Sequence, residues 1–365
     1  MNDGKQNKFL TIVAALFLVG FAFYLMKELQ SVLLPFFIAV IVSFLFEPYY
    51  EWLKKKHIPG GLAILIVVIT IVILSNITSV FVLTSINSFT SEIPKYTERT
   101  KVLAANITNT LQSWGFFNNY LKESLNLSKL ASGEKITAIA TDFFSSIVSI
   151  FGNFVLVLIY VIFLLSEFGS IRKRVLKAFS AERSRAIANI LTDIFTDVKK
   201  YVVGKTLINV AYGIIVTIIL WSFGVDFFIV WGFLAFMMAF IPNIGSLIST
   251  FFPFLTALIQ FEGDFTRPII ILVLMILAAN LIGNIVEPKV LGDRLNLSPI
   301  LLLLSLIFWG YLWGLVGMIL SVPIMSMIKI ILGKFDQTRP ISILMSYDVS
   351  DIRRKRKEKT AHRDQ

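Results

Sequence analysis

"FIPNIGSLISTFFPF", Phe240 to Phe254, lies inside a charge-free run of 35 residues from Phe227 to Phe261. Near the middle stand Pro242, Asn243, Ile244 and Gly245: a helix breaker, a bare amide and a glycine at a single point. One membrane-spanning helix needs about 20 apolar residues, and two with a turn need more than about 40. The run fits neither. Its arms, Phe227–Ile241 and Ser246–Phe261, suit a helix that enters a bilayer, breaks and returns to the side it came from. A tight pair of short tilted spans is the alternative. Non-helical backbone at membrane depth is tolerated only where protein buries it or a wet cavity hydrates it. The break therefore marks a candidate transport pathway.

Composition supplies the setting. With 56% hydrophobic residues, 16% charged residues and 33 Phe in 365 positions, the chain is too apolar for a soluble domain. Six further charge-free runs, Phe9–Met26, Leu29–Phe46, Ile58–Ser91, Phe143–Ser166, Thr206–Val225 and Pro268–Val286, meet or approach the length of a span. The first has no small-residue cleavage site after it and reads as a retained helix, not a signal peptide. The expected fold is all-α: a polytopic membrane protein with six full spans, two broken or re-entrant hairpins and amphipathic surface helices.

The net charge of +11 sets the orientation. Basic residues are retained on the cytoplasmic side of bacterial inner membranes, and with both termini inside, 26 of the 34 Lys and Arg fall in cytoplasmic segments. The tail run Arg353 to Lys357 then reads as a partner for anionic lipid headgroups and not for nucleic acid. By this count 1–85 holds N-terminal spans, 86–142 lies outside, 143–166 is a span, and 167–205 is cytoplasmic. A core domain occupies 206–332, and 333–365 is a basic cytoplasmic tail. In 86–142, Leu103, Ile107, Leu111 and Trp114 recur at helical spacing, as expected of an amphipathic layer on the outer surface. In 167–205, a stripe from Ile187 through Phe195 and Tyr201 to Val202 reads as a helix packed on neighbouring helices.

A second run, Leu295 to Ile328, is charge-free over 34 residues and is broken at its centre by "WGYLWG", Trp309 to Gly314. The first hairpin would start outside and the second inside, so their tips, Asn243 and Tyr311, are expected to point toward each other near the midplane. Opposed broken elements are the best sequence pointer to a secondary transporter's site.

Between the hairpins, Asn280, Asn284 and Glu287 are spaced by four and three and share one helical face. Polar groups on an apolar helix are expensive unless paired or hydrated. The pathway candidates are thus Pro242, Asn243, Gly245, Ser246, Asn280 and Asn284, with Trp309, Gly310, Trp313 and Gly314 from the second break. Glu287, followed by Pro288 and Lys289, is either a helix-end carboxylate paired with Lys289 or Arg294, or a gating group. Asp226, at the mouth of the first hairpin, reads as a solvated end charge with gating as the other role. Trp309 and Trp313 read first as packing or interfacial anchors, with lining the pathway as the other role.

Enzymatic readings find no support. The two histidines, His57 and His362, sit in a loop and the tail, so the chain carries no zinc-protease signature and no serine–histidine pair in the membrane. No cofactor motif and no metal site is expected, and the absence of cysteine excludes disulfides and thiolate chemistry.

The stretch 223–258, and after it "NIVEPKVLGDRLNLSPILLLLSLIFWGYLWGLVGMILSVPIMSMIKII" from Asn284 to Ile331, resembles the AI-2E family of bacterial membrane proteins. The resemblance rests on Pro242 to Gly245, Glu287-Pro288-Lys289, Trp309-Gly310, Gly314 with Gly317, and Val322-Pro323, in that order and spacing. "YVVGK" at 201–205 and "FFIAVIVSFLFEPYYEWL" at 36–53 extend it over nearly the whole chain. It implies a multi-pass, oligomeric transporter of a bacterial inner membrane. Some members export autoinducer-2, and others resemble sodium or lithium per proton antiporters. "GVDF" at 224–227 and the long hairpins favour the exporters.

Overall fold

A computed structural model describes residues 3–113, 154–178, 181–242, 244–291 and 297–347, and among these the regular structure is entirely helical. Helix α1 (Asp3–Glu28) is followed after one residue by α2 (Gln30–Lys55). Helix α3 (Gly60–Ser113) runs for 54 residues, about 80 Å at 1.5 Å per residue. After α4 (Phe154–Ala178) comes α5 (Ala181–Ser222), 42 residues long. Among the described residues, five helical stretches are long and apolar enough to cross a bilayer: Gln30–Lys55, Gly60–Val80, Ile187–Ser222, Thr266–Leu291 and Pro299–Gly333.

The first hairpin consists of α6 (Phe228–Met238) and α7 (Ile244–Gln260). Eleven residues of α6 extend only about 16 Å, half of a hydrocarbon core of about 30 Å. The arms pack antiparallel. Trp231 stacks on Phe252 at 6.4 Å, and at the open end the Gln260 side chain accepts from the Asp226 N–H at 2.7 Å and donates to the Gly224 carbonyl at 2.8 Å. Near the tip, a methyl group on Gly245 would strike the Met238 carbonyl. The backbone of the break is partly self-satisfied: Ile241 N–H donates to Met238 at 2.8 Å, and Gly245 N–H to Ile241 at 2.9 Å. Asn243 lies outside the described residues.

Next, α8 (Thr266–Asn280) is started by the Asp264 carboxylate, which accepts from Thr266 N–H at 3.0 Å. It widens into a π-helical segment, Leu281–Val286, and resumes as α9 (Glu287–Leu291). Pro288 explains the widening, because a proline ring strikes the carbonyl four residues earlier in a regular helix, here that of Asn284. Local π turns are a common way to absorb such an interruption.

The 35-residue apolar helix α10 (Pro299–Gly333) is not a straight span. Trp313 (φ −129°, ψ 17°) and Gly314 (φ 62°, ψ −147°) leave helical geometry, and the chain doubles back. Ser305 Oγ approaches the Ser321 carbonyl at 3.4 Å, and Gly317 lies against the Trp309 carbonyl. In a straight helix residues 305 and 321 would be about 24 Å apart. The second run is therefore a hairpin, turning at Trp313–Gly314, two residues beyond the expected tip. Short α11 (Arg339–Leu344) then returns the chain to the open end of this hairpin, where Ser298 N–H donates to the Met345 carbonyl at 2.8 Å.

Two helices run through expected segment boundaries. Residues 86–113 continue α3 without a break, and the remainder of that segment lies outside the described residues. The boundary at 205 falls inside α5, whose first half carries the stripe seen in the sequence. Val198, Tyr201 and Val202 are buried there, while Phe195 packs on Phe44 and Phe168 at 5.9 and 5.2 Å. The N-terminal part of the expected span 143–166 and the basic run 353–357 are outside the described residues.

Candidate functional site

Helix α5 carries Lys205, Asn209 and Tyr212 at positions i, i+4 and i+7, one face of a helix. That face meets the tip of the first hairpin and the π segment. Together they line a half-open cavity of about 300 Å³, formed by Lys205, Asn209, Tyr212, Pro242, Ser246, Asn280, Gly283, Asn284 and Glu287, with Ala239, Ile241, Ala279 and Ile282 as apolar wall. The volume is at the lower end of small-molecule sites, about 300–1,000 Å³.

Its electrostatic centre is an ion pair. Lys205 Nζ lies 2.6 Å from Glu287 Oε1, with side chains 5% and 21% exposed. The partner of Glu287 is thus Lys205 on another helix, not the exposed Lys289 next to it, and Arg294 lies outside the described residues. Separating two buried opposite charges leaves one uncompensated, at a cost of about 3–5 kcal/mol. The pair therefore ties α5 to the junction of the π segment and α9.

Hydrogen bonds order part of the lining. Asn284 Nδ2 donates to Asn280 Oδ1 at 2.9 Å, and Asn280 Nδ2 donates to the Ile276 carbonyl at 2.8 Å. Tyr212 Oη shares a hydrogen bond with Ser249 Oγ at 3.0 Å, and Ser249 also reaches the Ser246 carbonyl at 3.2 Å. Asn209 differs. It is 1% exposed, and neither its Nδ2 nor its Oδ1 has a hydrogen-bond partner among the described residues. A buried polar group left unpaired costs about 1–3 kcal/mol.

The sequence candidates divide into three groups. Pro242, Ser246, Asn280, Asn284 and Glu287 line one cavity. Pro288 is exposed one position beyond it, and Gly245 is buried at the crossing of the first hairpin's arms. Trp309, Gly310, Trp313 and Gly314 are elsewhere. Trp309 and Trp313 are each 4% exposed and lie against Phe37 of α2 at 6.1 and 5.3 Å. Trp313 Nε1 reaches the Met26 carbonyl at 3.4 Å, at the break between α1 and α2. Gly310 lies under the Met318 side chain. The expected meeting of the two tips is therefore corrected: one tip faces α5 and the π segment, the other packs on α1 and α2.

Asp226 is also reassigned. It is half-buried, and its Oδ2 accepts from Tyr96 Oη at 2.8 Å. Arg99 Nη1 donates to the Gln260 carbonyl at 3.3 Å. The far part of α3 thus holds the open end of the first hairpin. Burial, reinforced by Asp226, raises the Tyr96 phenol above its ordinary value.

Lys205, Asn209 and Tyr212 were not among the sequence candidates. Their spacing on one face of an apolar span was the available signal, the same one that singled out Asn280, Asn284 and Glu287. Among the described residues no group of three His, Asp or Glu could hold a metal ion.

The site is thus a polar cavity at the break of one of two folded-back elements. Residues 11–337 match the AI-2E family transporter profile. The chain belongs to that family. An AI-2 transport protein of Escherichia coli K12, TqsA, is 29% identical over 318 residues, which cover 87% of this chain and 90% of TqsA. A protein of Borreliella burgdorferi, provisionally named a transport protein without a substrate, is 30% identical over 340 residues, 93% of this chain and 90% of its own. The provisional transport protein YrrI of Bacillus subtilis is 22% identical over 326 residues, 85% of this chain and 88% of YrrI. The relatives of this AI-2E chain are transport proteins, and its apolar helices make it a multi-pass membrane protein.

Proposed function

We propose that this AI-2E transporter exports a small polar signalling molecule, autoinducer-2 or a chemically similar one. It would act as a homo-oligomer in a bacterial inner membrane, with both termini cytoplasmic, by alternating access at the broken first hairpin. The observation that carries the reading is the cavity lined by the Lys205–Glu287 pair. Its two charges are spent on each other, so it offers amides and hydroxyls to a cargo and little net charge. Small polar ligands are oriented by a few such groups against an apolar wall. The name of TqsA supports the choice of autoinducer-2.

One observation favours a second reading, a sodium or lithium per proton antiporter. Glu287 is a poorly exposed carboxylate within the cavity, and such an exchanger needs a group that can bind either a cation or a proton. Purified protein in liposomes separates the two. Export predicts autoinducer-2 flux without sodium-driven proton movement. Robust antiport that vanishes in Glu287→Gln would overturn it.

A further inference from the structure

Asn209 is the residue of the cavity whose hydrogen bonding is unaccounted for. The other amides have partners: Asn284 donates to Asn280, and Asn280 to Ile276. Lys205 is held by Glu287. Asn209 has almost no exposed surface, and both its donor and its acceptor lack partners among the described residues. It also stands between Lys205 and Tyr212 along the lined face of α5.

We infer that Asn209 is the residue that reads the cargo, and that it selects an uncharged molecule presenting a hydrogen-bond donor and acceptor side by side, such as a hydroxycarbonyl or a vicinal diol. The inference rests on the transport site proposed above and deepens it. A carboxamide offers one acceptor oxygen and two N–H donors in one plane, and adjacent hydroxyl and carbonyl groups match that edge. A bare metal cation does not, because it can use only the oxygen and leaves the N–H groups unmatched. Nor does a cargo with net charge, because the carboxylate and the ammonium that could compensate it already face each other at 2.6 Å.

A site residue of this kind leaves a signature that a structural one does not. Replacing a hydrogen-bonded structural asparagine with leucine destabilises a protein. Replacing one whose polar atoms are buried without partners removes an unfavourable burial, so the ligand-free protein holds or gains stability while losing its ligand. Asn209→Leu is close in volume and tests both. Asn209→Asp retains the shape and the acceptor but removes the donor.

The experiment uses the full chain in lipid nanodiscs, with autoinducer-2 as probe in calorimetric binding, and sodium-driven proton movement measured in liposomes. The expected result is that wild type binds autoinducer-2. Asn209→Leu should then weaken binding about tenfold or more, the loss of one to two hydrogen bonds, with a melting temperature equal to or above wild type. Asn209→Asp should weaken it as well. Binding by Asn209→Leu within about twofold of wild type overturns the role of Asn209 and leaves the proposed export standing. A wild type that ignores autoinducer-2 but exchanges sodium for protons overturns both. A lowered melting temperature in Asn209→Leu, with Asn209→Asp binding as wild type does, assigns Asn209 to structure and also overturns the inference.

Discussion

Lys205 on α5 and Glu287 at the end of the π segment form an ion pair 2.6 Å long across 82 residues of sequence, with the lysine side chain 5% exposed. The pair joins the helix that carries Asn209 to the helix whose π turns open the cavity wall. It makes the geometry of the site depend on two elements at once.

Removing one charge should therefore be worse than removing both. Lys205→Met or Glu287→Leu alone is expected to lower stability by about 3–5 kcal/mol, whereas Lys205→Met with Glu287→Leu should recover most of that loss. Thermal melting of the four proteins closes the cycle. Equal, additive losses in the single and double variants would show that the pair is not coupled.

Two hairpin glycines differ from a third in what surrounds them. A methyl group at Gly245 or Gly317 meets a backbone carbonyl, of Met238 or Trp309, which no rotamer change can relieve. Gly283 has nothing within 4 Å. Gly245→Ala and Gly317→Ala should each cost about 1–3 kcal/mol, and Gly283→Ala should stay within about 0.5 kcal/mol of wild type. Melting temperatures in one detergent decide it.

The fold-back of α10 is open to a direct test, since the chain contains no cysteine. Ser305→Cys with Ser321→Cys should crosslink within one chain under mild oxidation or with a short bismaleimide. In a straight helix the two would be about 24 Å apart, far beyond the roughly 7 Å between Cα atoms that a disulfide can bridge. A mass shift that appears only between chains would refute the hairpin.

At the other end of the first hairpin, Tyr96→Phe removes the donor to Asp226 and should cost about 1 kcal/mol. Hydrogen exchange of amides 226–230 should quicken. The raised phenol keeps its proton below its ordinary value of about 10, so the phenol's contribution is present throughout neutral pH and fades only as pH rises past that value. The difference between wild type and Tyr96→Phe should be the same at pH 6.5 and pH 8.5. A difference that shrinks over this range would contradict the assignment.

What could be read from the sequence was what acts locally. Charge-free runs too long for one span and too short for two, each broken by Pro or Gly, gave two hairpins, because backbone that cannot remain helical shows itself in the residues at the break. Asn280, Asn284 and Glu287 were legible because three polar residues on an apolar helix are costly wherever that helix packs. Gly314 was legible as a break, although its turn lies later than the centre of the run.

The sequence by itself determined an all-α membrane protein, its family, and that both long charge-free runs are broken near their centres. Only the tertiary structure decided that Glu287 belongs to Lys205, that Asn209 completes the cavity, that the tryptophans pack on α2 and the end of α1, and that Tyr96 holds Asp226. The reason is physical. Breaks and apolar runs are properties of neighbouring residues, whereas the worth of a charge or an amide in a membrane protein depends on which distant helix supplies its partner.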